Sequence, residues 1–305
     1  MNFLIQNKLL FPEILWKRPQ NIYKRQAGKV LVVAGSRGMG GAAALTAEAA
    51  MRAGAGVVVL AFPDILEKIY KKILLEIITI PLPSTKTGSI ANDALPEILK
   101  ASEDCDVVVC GPGLSRNEET AFVVQEMIQK IEKPIILDAD GLNALVGKTG
   151  LLSKRTYPTI LTPHQGEFSR LTGLNIKKIE KKRKELAEQY AKTWKSIIVL
   201  KGEDTMIADS DREVINKSGP PRLAVDARQG GPELATAGTG DVLSGIIATF
   251  CAQNLNQLFE AVSTAVFLHG IAGAIAKQKI GERSVIASDI IKYLPEAIKQ
   301  FDEAS

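Results

Sequence analysis

Histidine and cysteine are scarce in this 305-residue chain: His164 and His269 stand far apart, and Cys105, Cys110 and Cys251 include no CxxC pair. The HExxH zinc signature, a structural zinc site and a disulfide framework are thereby excluded, and a reducing cytoplasm is the expected setting. Neither sign of charge dominates, since 38 basic against 34 acidic side chains leave +4, so no nucleic-acid footprint is expected. Long apolar runs are missing too. Met1 to Trp16 is broken by Gln6, Asn7, Lys8 and Glu13 before it reaches signal-peptide length. The stretches Ile246 to Phe250 and Ala261 to Ala276 are interrupted or rich in small residues, which suits buried helices rather than membrane spans.

What remains is ordinary globular composition, 46% apolar and 24% charged, in a chain long enough to bury roughly 75% of its unfolded surface. Short β-branched runs recur at Lys29 to Ala34, Gly56 to Ala61, Asp106 to Cys110, Pro134 to Leu137, Thr159 to Leu161 and Ser196 to Leu200. Helix-length segments such as Ala42 to Ala53, Glu118 to Ile131 and Glu185 to Trp194 lie between them. Strands alternating with helices predict a three-layer α/β/α sandwich around a mainly parallel sheet. Past the irregular stretch Asn216 to Ala235, Ala-rich helices are expected to run to the C-terminus. With no repeat or low-complexity linker, residues 1–305 read as a single domain.

In such a sheet ligands bind beyond the carboxyl ends of the strands, and the motifs gather there. Ala237 to Gly245, AGTGDVLSG, precedes an apolar helix. The amides of residues 238 to 241 should therefore point from a helix N-terminus, an anion site. Asp241 in the first turn reads either as a base facing bound phosphate or as a plain cap. The loop Gly35 to Gly41 has neither GxGxxG nor GK[ST], so a P-loop is excluded; backbone contact to a ligand and a tight packing turn both remain. Asp138 and Asp140 fit Mg²⁺ ligation or a turn equally well. His164 could hydrogen-bond a ligand or, with Glu167, order Mg²⁺ and its waters, whereas His269 in an apolar helix suits packing. Lys201 to Thr205, KGEDT, offers a lysine and exposed backbone to phosphate or ribose, or is a surface turn. The basic run Lys177 to Lys184 reads as a solvated helix face without function.

Taken in order, VVAGSRGMGGAAALTAEAAMRAGAG, GPGL, ILDADGLNAL, LTPHQGEFSRLTG, VLKGEDT and LATAGTGDVLSGIIA resemble the NAD(P)HX dehydratase family, ribokinase-like relatives of the carbohydrate kinases, from about Gly28 to Ile291. The resemblance implies ADP-dependent dehydration of the S form of hydrated NADH or NADPH (NADHX or NADPHX), restoring the dinucleotide with release of AMP and phosphate. It also implies Mg²⁺ as cofactor, ADP as phosphoryl donor, a homotetramer, and no membrane partner. Carried over by residue, Asp241 would take the hydroxyl proton, and the amides of Gly238, Thr239 and Gly240 would hold the moving phosphoryl. Lys201, Gly202, Glu203, Asp204, Thr205 and Gly240 would contact the nucleotide. Ala42, Gly113, His164 and Asp241 would contact the damaged dinucleotide, and Glu167 and Asp138 would reach a metal only through water. No epimerase domain is expected within these residues. Two stretches depart from the family pattern: the lead Ser218 to Glu233 is longer and differently built, and Ala274 replaces the acid of an HGxAGD motif. A kinase of a vitamin precursor (hydroxyethylthiazole or hydroxymethylpyrimidine type) and a non-catalytic nucleotide-binding relative are the alternatives.

Overall fold

The structure, a computed structural model, describes residues 21–210, 213–217 and 231–303. The expectations for Met1 to Trp16, and for Pro220, Pro221 and Arg228 in the lead stretch, lie outside the described residues. Among the described residues nine strands form one sheet: β1 (Lys29–Val33), β2 (Val57–Pro63), β3 (Ile78–Leu82), β4 (Val107–Cys110), β5 (Ile135–Leu137), β6 (Thr159–Leu161), β7 (Ile197–Leu200), β8 (Asp204–Ala208) and β9 (Glu213–Lys217). Their order is β3-β2-β1-β4-β5-β6-β7-β8-β9. β1 to β7 are parallel, while β8 and β9 add an antiparallel edge. The six strands expected from the sequence are present. Three more were not anticipated, the edge strand β3 and the hairpin β8–β9, and Asp204 and Thr205, expected in a loop, open β8.

The helices among the described residues are α1 (Gly40–Arg52), α2 (Glu67–Ile73), α3 (Leu95–Glu103), α4 (Glu118–Lys130), α5 (Asp140–Asn143), α6 (Gly150–Lys154), α7 (Gln165–Thr172), α8 (Ile176–Lys181), α9 (Arg183–Trp194), α10 (Thr239–Gln253), α11 (Leu258–Ile280) and α12 (Ala287–Glu303). Alternate strand residues point to opposite faces. Val30, Val32, Val107 and Val109 share one core with residues of α1, α10, α11 and α12, whereas Leu31, Val33, Val108 and Cys110 share the other with residues of α4, α7 and α9. Both faces are covered, which explains why the central strands read as unbroken apolar runs. By length and composition α11 could cross a membrane, but it is mostly buried inside the fold.

Two features of this architecture position the site. The chain runs outward from β1 through β2 to β3, then returns to start again at β4 beside β1. This reversal opens a crevice between the loops that follow β1 and β4. The helices α1 and α10 also approach backbone to backbone. A Cβ on Gly245 would lie 2.2 Å from the Thr46 carbonyl oxygen, and the Thr249 hydroxyl donates to the Ala50 carbonyl at 2.9 Å. Only glycine and a stripe of small residues allow two helix axes to come this close.

Candidate functional site

A cavity of about 1110 Å³ opens over the carboxyl ends of β5, β6 and β7 and the head of α10. Gly238 enters α10 in the left-handed region, φ +93°. A side chain there would meet Leu45 Cδ1 at 2.7 Å, so the turn needs glycine. The early amides of α10 have no intrahelical carbonyl to bond. Thr239 N makes a long 3.4 Å contact with the Thr236 carbonyl, and Val242 N closes onto the Gly238 carbonyl at 3.1 Å. Asp241 stands in the first turn on the cavity wall. Burial, reinforced by the Asp138 carboxylate, pushes its pKa up to about 7 despite the nearby Lys201 ammonium.

Lys201 directly follows β7 and reaches under this turn: a Cβ on Gly240 would sit 3.1 Å from Lys201 Nζ. Its ammonium donates to Asp138 Oδ1 at 2.8 Å, and Asp138, at the end of β5, is only 1% exposed. Burial opposes the lysine's charge, but Asp138, Glu167 and Asp241 together outweigh it and hold its pKa above the ordinary lysine value. The other oxygen of Asp138 accepts from the buried Ser244 hydroxyl at 2.8 Å.

His164 has a structural duty alongside any binding one. Its Nδ1 accepts from Gly166 N at 2.9 Å, and the Glu167 carboxylate accepts from His164 N at 2.8 Å, a reciprocal cap on α7. Burial and the neighbouring Lys201 lower the His164 pKa, which keeps Nδ1 an acceptor. Burial raises that of Glu167. His269 is buried as expected, with Nε2 3.0 Å from the Thr239 carbonyl, so it also braces the turn above it. Its burial pushes the imidazole pKa down to about 4.

The structure thus brings together Asp138, His164, Glu167, Lys201, Gly202, Glu203, Thr205 and Gly238 to Asp241. Asp204, Ala42 and Gly113 do not line this cavity. The latter two meet at the crevice instead, where a Cβ on Gly113 would be 3.1 Å from Ala42 Cβ and 2.7 Å from the Met39 carbonyl oxygen. Ser36 and Gly35 tie the two loops, donating to the carbonyls of Gly113 and Pro112 at 2.8 and 2.9 Å.

Sequence reasoning passed over four cavity or support residues. Ser244 lay inside a quoted motif without a role. Glu233, 3% exposed, and Lys277, with Nζ 3.6 Å from Glu233 Oε2, line the far end beside Ala274. Nothing in their spacing announces that pairing. Arg183 corrects the reading of the basic run: Lys177, Lys178, Lys181, Lys182 and Lys184 are exposed, but Arg183 turns inward. Its Nη2 donates to the carbonyls of Leu200 and Asp204 at 2.8 and 3.1 Å, clamping the Lys201 to Thr205 turn. A Cβ on Gly202 would strike that guanidinium at 2.6 Å.

Comparison with known proteins gives the family and the fold. A family model described as NAD(P)H-hydrate dehydratase matches residues 30–296. The bifunctional NAD(P)H-hydrate repair enzyme Nnr of Moorella thermoacetica is 39% identical over 288 residues, 94% of this chain and 52% of that protein. The chain therefore spans about half the length of the curated relatives it matches. Among solved structures, the ADP/ATP-dependent NAD(P)H-hydrate dehydratase from Bacillus subtilis, co-crystallized with ATP/Mg²⁺, superposes with a TM-score of 0.74 at 30% identity, covering 93% of this chain and 94% of that one. A ribokinase-like superfamily protein from Enterococcus faecalis gives 0.77 at 26% identity, covering 95% and 94%.

Proposed function

This chain belongs to the NAD(P)H-hydrate dehydratase family, and from that premise we propose that it dehydrates the S form of NADHX or NADPHX at the expense of ADP, releasing AMP and phosphate. The observation that carries the proposal is Asp241. It is a half-buried carboxylate with a pKa near neutrality, set at a helix head and faced by the half-buried Lys201 ammonium. A base works best when its pKa lies near the operating pH. Asp241 takes the proton of the C6 hydroxyl while that oxygen bonds to the terminal phosphorus and AMP leaves. The C6–O bond then breaks with loss of phosphate, a proton leaves C5, and the ring double bond is restored. The first-turn amides and Lys201 face the charge that gathers on the moving phosphoryl.

The donor chemistry bears on Mg²⁺. Asp138 has both oxygens taken by Lys201 and Ser244, and among the described residues no group of three or more acidic, histidine or cysteine side chains forms a metal cage. Yet three carboxylates surround one ammonium, an unfavourable field for a bare polyphosphate. Mg²⁺ carried on the nucleotide oxygens, with Glu167 reaching it through water, fits these residues and would neutralise phosphate charge. The buried free cysteines suit a cytoplasmic setting. The exposed Ile69, Ile73, Leu75 and Ile78 along α2 and the sheet edge support a contact between copies of this chain, while the homotetramer rests on the family resemblance alone.

The test is the near-ultraviolet absorbance of reduced nicotinamide, followed with purified protein, Mg²⁺ and mixed NADHX epimers, with ADP and ATP in separate cuvettes. A nucleotide-dependent rise that stops when one epimer is consumed supports the proposal and identifies the donor. A flat trace with both nucleotides overturns it.

A further inference from the structure

Apart from Ser244, the buried helix hydroxyls that have a partner among the described residues donate to backbone carbonyls, as Thr120 does to Ile90. Thr46, Thr249 and Ser263 each donate to the carbonyl four residues back, at Ala42, Gly245 and Phe259. That bond is the local choice open to any helical serine or threonine. Ser244 is the exception, because its partner is a carboxylate. Fully buried in α10, one turn after Asp241, it points its hydroxyl at a carboxylate 106 residues away, Asp138 Oδ2, at 2.8 Å. Asp138 in turn spends its second oxygen on Lys201 Nζ at 2.8 Å. The three side chains come from three segments, α10, the end of β5 and the end of β7, and their meeting point lies under Gly240: a Cβ there would be 3.1 Å from Lys201 Nζ and 3.7 Å from Asp138 Oδ2.

The geometry assigns Ser244 as a positioning residue for the phosphoryl-transfer step: by holding Asp138 Oδ2, it orients the carboxylate so that Oδ1 fixes the Lys201 ammonium beneath the anion-binding turn. This rests on the proposed function and names a residue on which that function depends. A lysine on a flexible four-carbon stem has no preferred place of its own. Here the carboxylate supplies the place, and a second hydrogen bond keeps the carboxylate from rotating. Binding a nucleotide needs only that a cation be near the phosphates. Stabilising the transferring group needs the cation at one point, because a small misplacement costs far more in the transition state than in the ground state.

The test uses the full chain with Ser244→Ala, Ser244→Cys and, as a control, Ser263→Ala, which removes a buried helix hydroxyl with an ordinary partner. Turnover of NADHX is measured for kcat and nucleotide KM, with thermal melts of each variant. Ser244→Ala is expected to lose on the order of tenfold to a hundredfold in kcat with nucleotide KM within about twofold. Ser244→Cys, with a weak donor at the same place, should recover part of the loss, and Ser263→Ala should turn over like the parent. An active parent with an unaltered Ser244→Ala overturns the positioning role alone. So does a loss that the melts explain, shared between kcat and KM and not relieved by cysteine. A parent inactive with both nucleotides overturns the functional reading, and the positioning role falls with it.

Discussion

The two halves of the proposed site are built on opposite plans. Around Asp241 the work falls to side chains: Asp138, Lys201 and Ser244 are joined across three segments by charge-assisted bonds of 2.8 Å. Around Ala42 and Gly113 it falls to the backbone, with two glycine-bearing loops stitched by Ser36 and Gly35 and no carboxylate or ammonium between the two residues. The first half concentrates electrostatic charge where a phosphoryl would pass. The second offers shape, suited to a large flat ligand whose chemistry happens elsewhere. A side-chain half should fail by losing rate, and a backbone half by losing fit.

The sharpest way to break this contrast is Asp241→Asn. The expected loss in kcat is about 10²–10⁴-fold, the usual worth of a general base. In the parent, kcat/KM should rise with pH through about 7 as Asp241 ionises. Stability should move the other way. Because the fold raises the Asp241 pKa, it favours the protonated form, and that contribution is lost as pH rises from the ordinary 3.8 to about 7. Asp241→Asn should therefore melt above the parent by a margin that is already present at about pH 5 and grows to a few degrees at about pH 8. Equal melting at both values would show that Asp241 is not held against its charge.

Lys201→Met comes next, leaving Asp138 buried with a charge and no cation. The expected cost is about 3–5 kcal/mol in denaturant unfolding, together with loss of nucleotide-dependent turnover. On the backbone side, Gly113→Ala would drive a methyl toward the Met39 carbonyl at a φ of +62°. Substrate KM should rise about tenfold while nucleotide KM holds, the fingerprint of lost fit. A kcat defect without a KM change would erase the distinction between the halves. Smallest is His269→Gln. The imidazole pKa falls from its ordinary 6.5 to about 4 in the fold, so native stability is lost as pH falls through that window. Glutamine keeps a donor for the Thr239 carbonyl and should flatten the acid limb of a Tm-against-pH curve.

Much of this was legible before any coordinates. The β-branched runs that became β1, β2, β4, β5, β6 and β7 announce themselves because each is buried on both faces, so burial writes directly into composition. β3 hides because it is an edge strand, half exposed and carrying Pro81, and edges carry little apolar signal. β8 and β9 hide because Asp204 and Thr205 look like the tail of a ligand loop. At the site, Asp241, Lys201 and the glycine turn were visible as local motifs. Ser244, Glu233 and the inward turn of Arg183 were not, since each depends on a partner supplied by another segment and only strand order brings the two together. Ala42 and Gly113 were seen as site residues, but their separation from the main cavity follows from the reversal at β1 and β4, which no local pattern encodes.

The close approach of α1 to α10 at Gly245 has a metric consequence. Each helix begins at one of the two halves: α1 springs from the crevice loop, α10 from the turn that bears Asp241. Two rods in backbone contact cannot slide or spread, so the interval between the two loop tips acts as a gauge block whose length is set when the chain folds. Under the proposed function, a ligand that bridges them would be measured against that fixed interval, and a reactive ring carried too near or too far along the dinucleotide would not meet Asp241.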